Sequence, residues 1–165
     1  MSVIDQKRVW RLLDTVPDPE IPVVSVVELG IIQSVEVDPE GAVRVEMTPT
    51  FAGCPAIDMM CSGIRTALTD AGIENATVAV TYDPPSTSDR ITEEGRRKLK
   101  AFGLAPPPRV EGNTAGANLL LMEMIECPFC GSQNTRLDTP FGATLCRAMY
   151  YCDSCRQSFE MFKPL

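Results

Sequence analysis

Seven cysteines and no histidines define the chemistry open to this chain. Cys127 and Cys130 form one C-x2-C pair, and Cys152 and Cys155 form another further along. Such a pair lets two thiolates reach one metal from a tight turn, and two pairs complete a tetrahedral four-sulfur shell. "CPFCG" supplies a turn proline and a glycine; "CDSCR" lacks the glycine. "PFG", Pro140 to Gly142, can turn a hairpin between them, giving the outline of a zinc ribbon. A structural zinc fits this donor set, and a rubredoxin-like iron is not excluded by four sulfurs alone. In "CRAMYYC" an unbroken strand separates Cys146 from Cys152 by about 20 Å. Cys146 is therefore placed outside the site, as a packed thiol.

A second candidate is Cys54 in "TPTFAGCPAI", before Pro55 at the expected start of a helix. Backbone N–H groups and the positive dipole end there favour a thiolate. The residues leave open whether Cys54 is reactive or merely packed. Cys61, seven residues on, lies about 10 Å away along a helix and cannot join it on one ion. It reads as core. "DPE", Asp18 to Glu20, offers two carboxylates on a proline-stiffened loop, and "RRKLK", Arg96 to Lys100, reads as a solvated helix face.

The elements that must position these groups follow from periodicity. Val9, Leu12 and Leu13 form a helical stripe over residues 5–15, which Pro17, Pro19 and Pro22 end. "LGIIQSVEV" and "AVRVEMT" alternate as strands, with Val43, Val45 and Met47 on one face and "DPEG" as the type I turn between them. A helix after Cys54 carries Ile57, Met60, Cys61, Ile64, Leu68 and Ala71, stopped by Gly72. "ATVAVTY" is a third strand, aligning Ala76, Val78, Val80 and Tyr82. Thr92, Glu93 and Glu94 open a last helix bearing Leu99 and Phe102. The order α-β-β-α-β-α predicts an α+β fold, a small α/β sandwich. This domain spans 1–102, a Pro/Gly-rich linker 103–118, and a zinc-ribbon β domain 119–165 that is too small to fold on an apolar core alone.

The 165 residues carry a net charge of −7, which repels polyanions and argues against nucleic acid as a partner. The ribbon segment 119–165 has four basic and five acidic residues and no basic face. Without histidine, Ser-His-Asp and Cys-His nucleophilic sites cannot form. The first residues lack a signal peptide's apolar run and no stretch is long enough to span a bilayer, so a cytoplasmic location is expected.

"DPEIPVVSVVELGII" and "TPTFAGCP" together resemble the two signature segments of the MIP18-like metal–sulfur cluster assembly family. "CPFCGS" and "PFGATLCRAMYYCDSCRQSFEMFK" resemble one branch of it more closely, the PaaD-like components of phenylacetyl-CoA epoxidase from aerobic phenylacetate degradation. The resemblance covers nearly the whole chain. It implies a role in iron–sulfur maturation for that multicomponent epoxidase rather than catalysis of epoxidation. The iron–sulfur and flavin reductase subunit is the implied client. The family's motif cysteine falls on Cys54, its motif acid on Asp18, and the ribbon ligands on Cys127, Cys130, Cys152 and Cys155. Where members of the branch tend to end in a further cysteine, this chain has Pro164.

Three functions are thus weighed. The first is an accessory factor in which Cys54 holds a transient iron–sulfur cluster; a cluster bridging two Cys54 residues requires a homodimer. The second is an enzyme, disfavoured because oxygen-activating di-iron sites use Glu and His on helical bundles. The third is a non-catalytic ribbon that docks protein or carries electrons.

Overall fold

The computed structural model describes residues 4–50, 53–109 and 125–163. Contacts divide the chain into two compact units, Met1–Ser86 and Thr87–Leu165.

In the first unit, helix α1 runs Gln6–Leu13. Asp5 caps it, accepting a hydrogen bond from the Arg8 amide at 2.6 Å. Val9 and Leu13 are fully buried, the stripe expected from their spacing. Strands β1 (Ile32–Val37) and β2 (Val43–Met47) pair antiparallel, with Val37 opposite Val43 and Val35 opposite Val45. Asp38 closes the hairpin: its carboxylate accepts from the Ala42 amide at 2.7 Å, and its carbonyl from that of Gly41 at 3.0 Å. Val43, Val45 and Met47 are buried as expected.

Helix α2 (Ile57–Asp70) buries Met60, Cys61, Ile64 and Leu68. Met60, Ile64 and Leu68 each contribute about 1.5–3 kcal/mol when taken fully out of water. Strand β3 (Ala76–Val80) lies parallel to β2, giving the sheet order β1-β2-β3. Helix α1 packs on β1 and on α2, and α2 packs on β3, the anticipated α/β sandwich. Of the residues aligned on β3, Val78 is buried, while Val80 at its end and Tyr82 beyond it are exposed.

The second unit holds a 3₁₀ turn (Ser88–Arg90), helix α3 (Glu93–Ala101), and strands β4 (Leu104–Ala105), β5 (Thr135–Thr139), β6 (Arg147–Cys152) and β7 (Gln157–Phe162). Thr92 caps α3 through the Gly95 amide at 3.0 Å. Leu99 is buried, whereas Phe102 is the exposed C-cap. The sheet order is β4-β7-β6-β5, antiparallel except that β4 runs parallel to β7. Its core comprises Ala105, Ile125, Cys127, Ala148, Tyr150, Cys152, Phe159 and Met161. Tyr150 and Phe159 stack with centroids 5.7 Å apart.

The division at Ser86/Thr87 falls before the 102/103 boundary read from the sequence, and α3 lies with the ribbon. Leu104 and Ala105, at the start of the expected linker, are buried and paired as a strand. Burying their apolar side chains against β7 is the physical reason. The rest of that linker from 110 on, the "LLLMEM" start of the ribbon segment, Phe51, Ala52 and Pro164 lie outside the described residues. The "RRKLK" face is also less uniform than expected. Arg97 pairs with Glu94 and Lys100 with Glu126 at the surface, but Arg96 turns inward onto the carbonyls of Pro107 and Ser88.

Candidate metal centre and the Cys54 loop

Cys127, Cys130, Cys152 and Cys155 converge, with every Sγ within 4.8 Å of the others. Cys127 and Cys155 are 3.7 Å apart, and Cys130 and Cys152 are 3.6 Å apart. A tetrahedral shell with metal–sulfur bonds of about 2.3 Å places its sulfurs about 3.8 Å from one another. The donor set therefore fits a single four-coordinate ion with little adjustment. Both knuckles are preformed by backbone bonds. The Gly131 amide donates to the Cys127 carbonyl at 2.9 Å and the Arg156 amide to the Cys152 carbonyl at 2.8 Å. Both of those residues are left-handed, at φ +73° and +61°. The missing glycine of "CDSCR" is thus replaced by a strained arginine.

The sulfurs also perturb one another. The Cys152 thiol is brought down to about 7, chiefly by the Cys155 backbone N–H. That of Cys155 is pushed up to about 12, by burial first and then by the Cys152, Cys130 and Cys127 sulfurs. Cys146 lies outside the group, buried at the foot of β6 with its Sγ 3.0 Å from the Thr144 hydroxyl.

The loop before β6 is unusually well tied. The Glu160 carboxylate receives the Ala143 amide at 3.1 Å and the Arg147 guanidinium at 2.9 Å. Lys163 donates to the Leu145 carbonyl at 2.9 Å and lies 5.5 Å from the Phe141 ring centroid. Phe141 and Leu145 are nevertheless 69% and 53% exposed.

Around Cys54 the surroundings favour the neutral thiol over the thiolate. Helix α2 begins at Ile57 with Ala56 as its cap, so Pro55 precedes the helix and Cys54 lies one residue further out. The Ala56 amide does bond the sulfur and lowers its pKa. Burial outweighs that bond, and the charges of Glu20 and Asp18 add to it, so the thiol is pushed up. Gly53, at φ +105°, makes the turn into this position, where a side chain is strained.

Asp18 is itself buried, at 7% exposure. Its Oδ1 accepts the amides of Glu20 and Ile21, both at 2.8 Å, which folds the "DPEI" loop. Glu20 is the residue that sequence reading undervalued, since its charge acts on Cys54 more strongly than that of Asp18. Ser25 and Glu28 form a reciprocal capping box: the Ser25 amide donates to Glu28 Oε2 at 2.9 Å, and the Glu28 amide to Ser25 Oγ at 3.0 Å. The Ser25 hydroxyl then donates to Asp14 at 2.6 Å, tying the turn to the end of α1. The Ser-x-x-Glu spacing was the available signal for this clamp. Cys61 is buried in the core, its Sγ 3.5 Å from the Met47 sulfur.

An α/β unit with a cysteine loop beside two carboxylates, followed by a four-cysteine ribbon, defines a class. Residues 6–88 match the iron–sulfur cluster assembly protein family, and residues 113–163 match the PaaD zinc β-ribbon domain. The chain belongs to the iron–sulfur cluster assembly protein family, in the branch that carries this ribbon. It is 40% identical over 155 residues to an Escherichia coli protein provisionally named as the D component of 1,2-phenylacetyl-CoA epoxidase, covering 94% of this chain and 90% of that one. An Fe–S protein maturation auxiliary factor of Porphyromonas gingivalis is 36% identical over 95 residues, 57% of this chain and 90% of its own. The crystal structure of a domain of unknown function from Bacillus anthracis superposes with a TM-score of 0.54 at 27% identity, over 57% of this chain and 90% of that chain. Among the described residues, no helix is long and apolar enough to cross a membrane.

Proposed function

We propose that this chain is an accessory factor of the phenylacetyl-CoA epoxidase system that assembles or delivers iron–sulfur clusters, with the reductase subunit as client. The observation that carries this reading is the union of an assembly domain and a PaaD ribbon in one chain, similar over 94% of its length to the Escherichia coli epoxidase component. The cluster is cargo. Cys54 is its transient thiolate ligand; burial first, with the charges of Glu20 and Asp18 adding to it, favours the protonated sulfur until a cation displaces the proton. A cluster shared by two Cys54 residues makes the delivering species a homodimer. Cys127, Cys130, Cys152 and Cys155 hold a structural zinc, which supplies the folding free energy that so small a ribbon lacks.

Catalysis of epoxidation itself is not assigned to the chain, since it has no histidine for an oxygen-activating di-iron site. Nucleic acid is not a partner of so acidic a protein, nor is a membrane, and the site of action is the cytoplasm. The test is a Cys54→Ser variant carrying full ribbon zinc. It is expected to leave the reductase without its cluster, and a fully loaded reductase would sink the assignment.

A second reading, a non-catalytic docking protein within the epoxidase complex, is favoured by the exposed Phe141 and Leu145 on their braced loop. Under it, a Phe141→Ser/Leu145→Ser variant loses binding to the epoxidase components, while Cys54→Ser has no effect.

A further inference from the structure

Two parts of the chain carry two separate matches: residues 6–88 to the assembly family, and residues 113–163 to the ribbon. The Porphyromonas gingivalis protein, named as a maturation factor, is matched over 90% of its own length by 95 residues of this chain. The tenth that remains in it is too short to hold a ribbon. Cluster handling and the ribbon are therefore separable, and the ribbon needs a task of its own.

What the ribbon presents is a rigid apolar patch. Phe141 and Leu145 stand out from the loop before β6, and Lys163 joins them. Its ammonium donates to the Leu145 carbonyl at 2.9 Å and lies 5.5 Å from the Phe141 ring centroid. The loop is closed on itself: the Gly142 amide donates to the Arg147 carbonyl at 2.9 Å, and the Arg147 amide to the Thr144 carbonyl at 3.1 Å. A Cβ on Gly142 would stand 2.9 Å from that of Arg147 and 3.1 Å from its carbonyl oxygen, so glycine is needed for so close an approach. From Thr139 to Cys146 the loop carries no charge, which leaves Lys163 as the cation at the edge of the patch.

We propose that this loop selects the client. Phe141 and Leu145 enter an apolar cleft on the protein that accepts the cluster, and Lys163 pairs with a carboxylate on the rim of that cleft. The inference rests on the accessory-factor reading and divides its labour: the Cys54 unit hands over the cargo, and the ribbon decides to which protein. A braced loop has little freedom left to lose on docking. An exposed ring beside a cation is the composition of an anchoring contact. Lys163 also steers an acidic rim towards a chain whose net charge of −7 would otherwise repel it. A two-fold contact of the patch with a second copy would bring two Lys163 ammonium groups together, which favours a different protein as its occupant.

The full chain with its ribbon metal, supplied with iron and sulfide, is offered two acceptors stripped of their clusters: the reductase subunit and a ferredoxin from an unrelated system. Phe141→Ser/Leu145→Ser is expected to weaken reductase binding about thirtyfold or more by calorimetry. Cluster transfer to the reductase should slow with it, while transfer to the ferredoxin is unchanged. Lys163→Gln keeps a donor for the Leu145 carbonyl and should flatten the salt dependence of reductase binding. Cys54→Ser should bind the reductase normally and deliver to neither acceptor. Metal content and circular dichroism establish that each variant is folded. The proposal is overturned by a loop variant that binds the reductase as wild type does, or that loses both acceptors alike. A wild-type chain that does not bind the reductase, or that uses the loop to bind its own copy in sedimentation, overturns it equally. Loop-dependent binding with no cluster passed to either acceptor refutes delivery instead, and upholds the docking surface.

Discussion

Gly131 and Arg156 occupy the same place in their respective knuckles: each donates its amide to the carbonyl of the first cysteine of its pair, and each has a positive φ. For glycine this conformation is free of strain, whereas a residue with a Cβ pays about 1–2 kcal/mol. Arg156→Gly should therefore stabilise the ribbon by up to about 1 kcal/mol, the relief being partly offset by the greater freedom of glycine in the unfolded chain. Gly131→Val should cost more than about 1 kcal/mol. Thermal unfolding of both variants with the ribbon metal bound reads the contrast, and a destabilised Arg156→Gly would contradict the strain argument.

Removal of the ribbon metal should unfold the second unit and spare the first. The first unit buries Val9, Leu13, Val45, Met47, Ile64 and Leu68 in an apolar core of its own. The four ribbon thiols crowd within 4.8 Å and need a cation to balance them. A strong chelator should therefore abolish the β-sheet signal of the ribbon while near-ultraviolet dichroism from Trp10 persists. Serine at any of Cys127, Cys130, Cys152 or Cys155 should reproduce the loss, whereas Cys146→Ser should keep one metal per chain by elemental analysis.

The raised pKa of Cys54 has a readable sign. A thiol whose neutral form is favoured stays protonated to higher pH, so its alkylation by iodoacetamide should be slow at pH 7 and still climb above pH 9. Glu20→Gln removes the larger of the two carboxylate effects and should speed the reaction a few-fold at pH 8. Asp18→Asn should do less. Peptide mass spectrometry of the Cys54 segment follows each rate, and a rate already at its plateau by pH 7 would mean an activated thiol after all.

Asp18 can be tested as loop former against cluster ligand. Its Oδ1 satisfies two amides in a buried loop, so Asp18→Ala should destabilise the first unit by about 1–3 kcal/mol. Asparagine keeps an oxygen for both amides and should cost less. With Asp18→Asn folded by urea titration, intact cluster delivery identifies Asp18 as a loop former only, and lost delivery identifies it as a ligand.

What could be read beforehand follows physical range. The α2 stripe is set by neighbours three or four residues apart and the β1–β2 hairpin by the equally local Asp38 turn, and both are legible. The four ribbon cysteines were legible because tetrahedral thiolate chemistry dictates their paired spacing. For Cys54, helix logic sees the Ala56 amide, while the direction of its shift is decided by burial and by carboxylates on a loop remote in sequence. Strand β4 has only Leu104 and Ala105, too short to display any alternation. Alternation aligns Val80 and Tyr82 with Val78 but does not encode that they lie at and beyond the exposed end of β3.

That two-residue strand has a consequence for modularity. The region matched to the ribbon domain begins at residue 113, yet β4 supplies Ala105 to the ribbon core and covers one edge of β7. The unit of homology is thus smaller than the unit of folding. A fragment cut at residue 113 leaves β7 as a raw, apolar edge open to aggregation, whereas one cut at Thr87 carries its own leader and remains a transplantable whole.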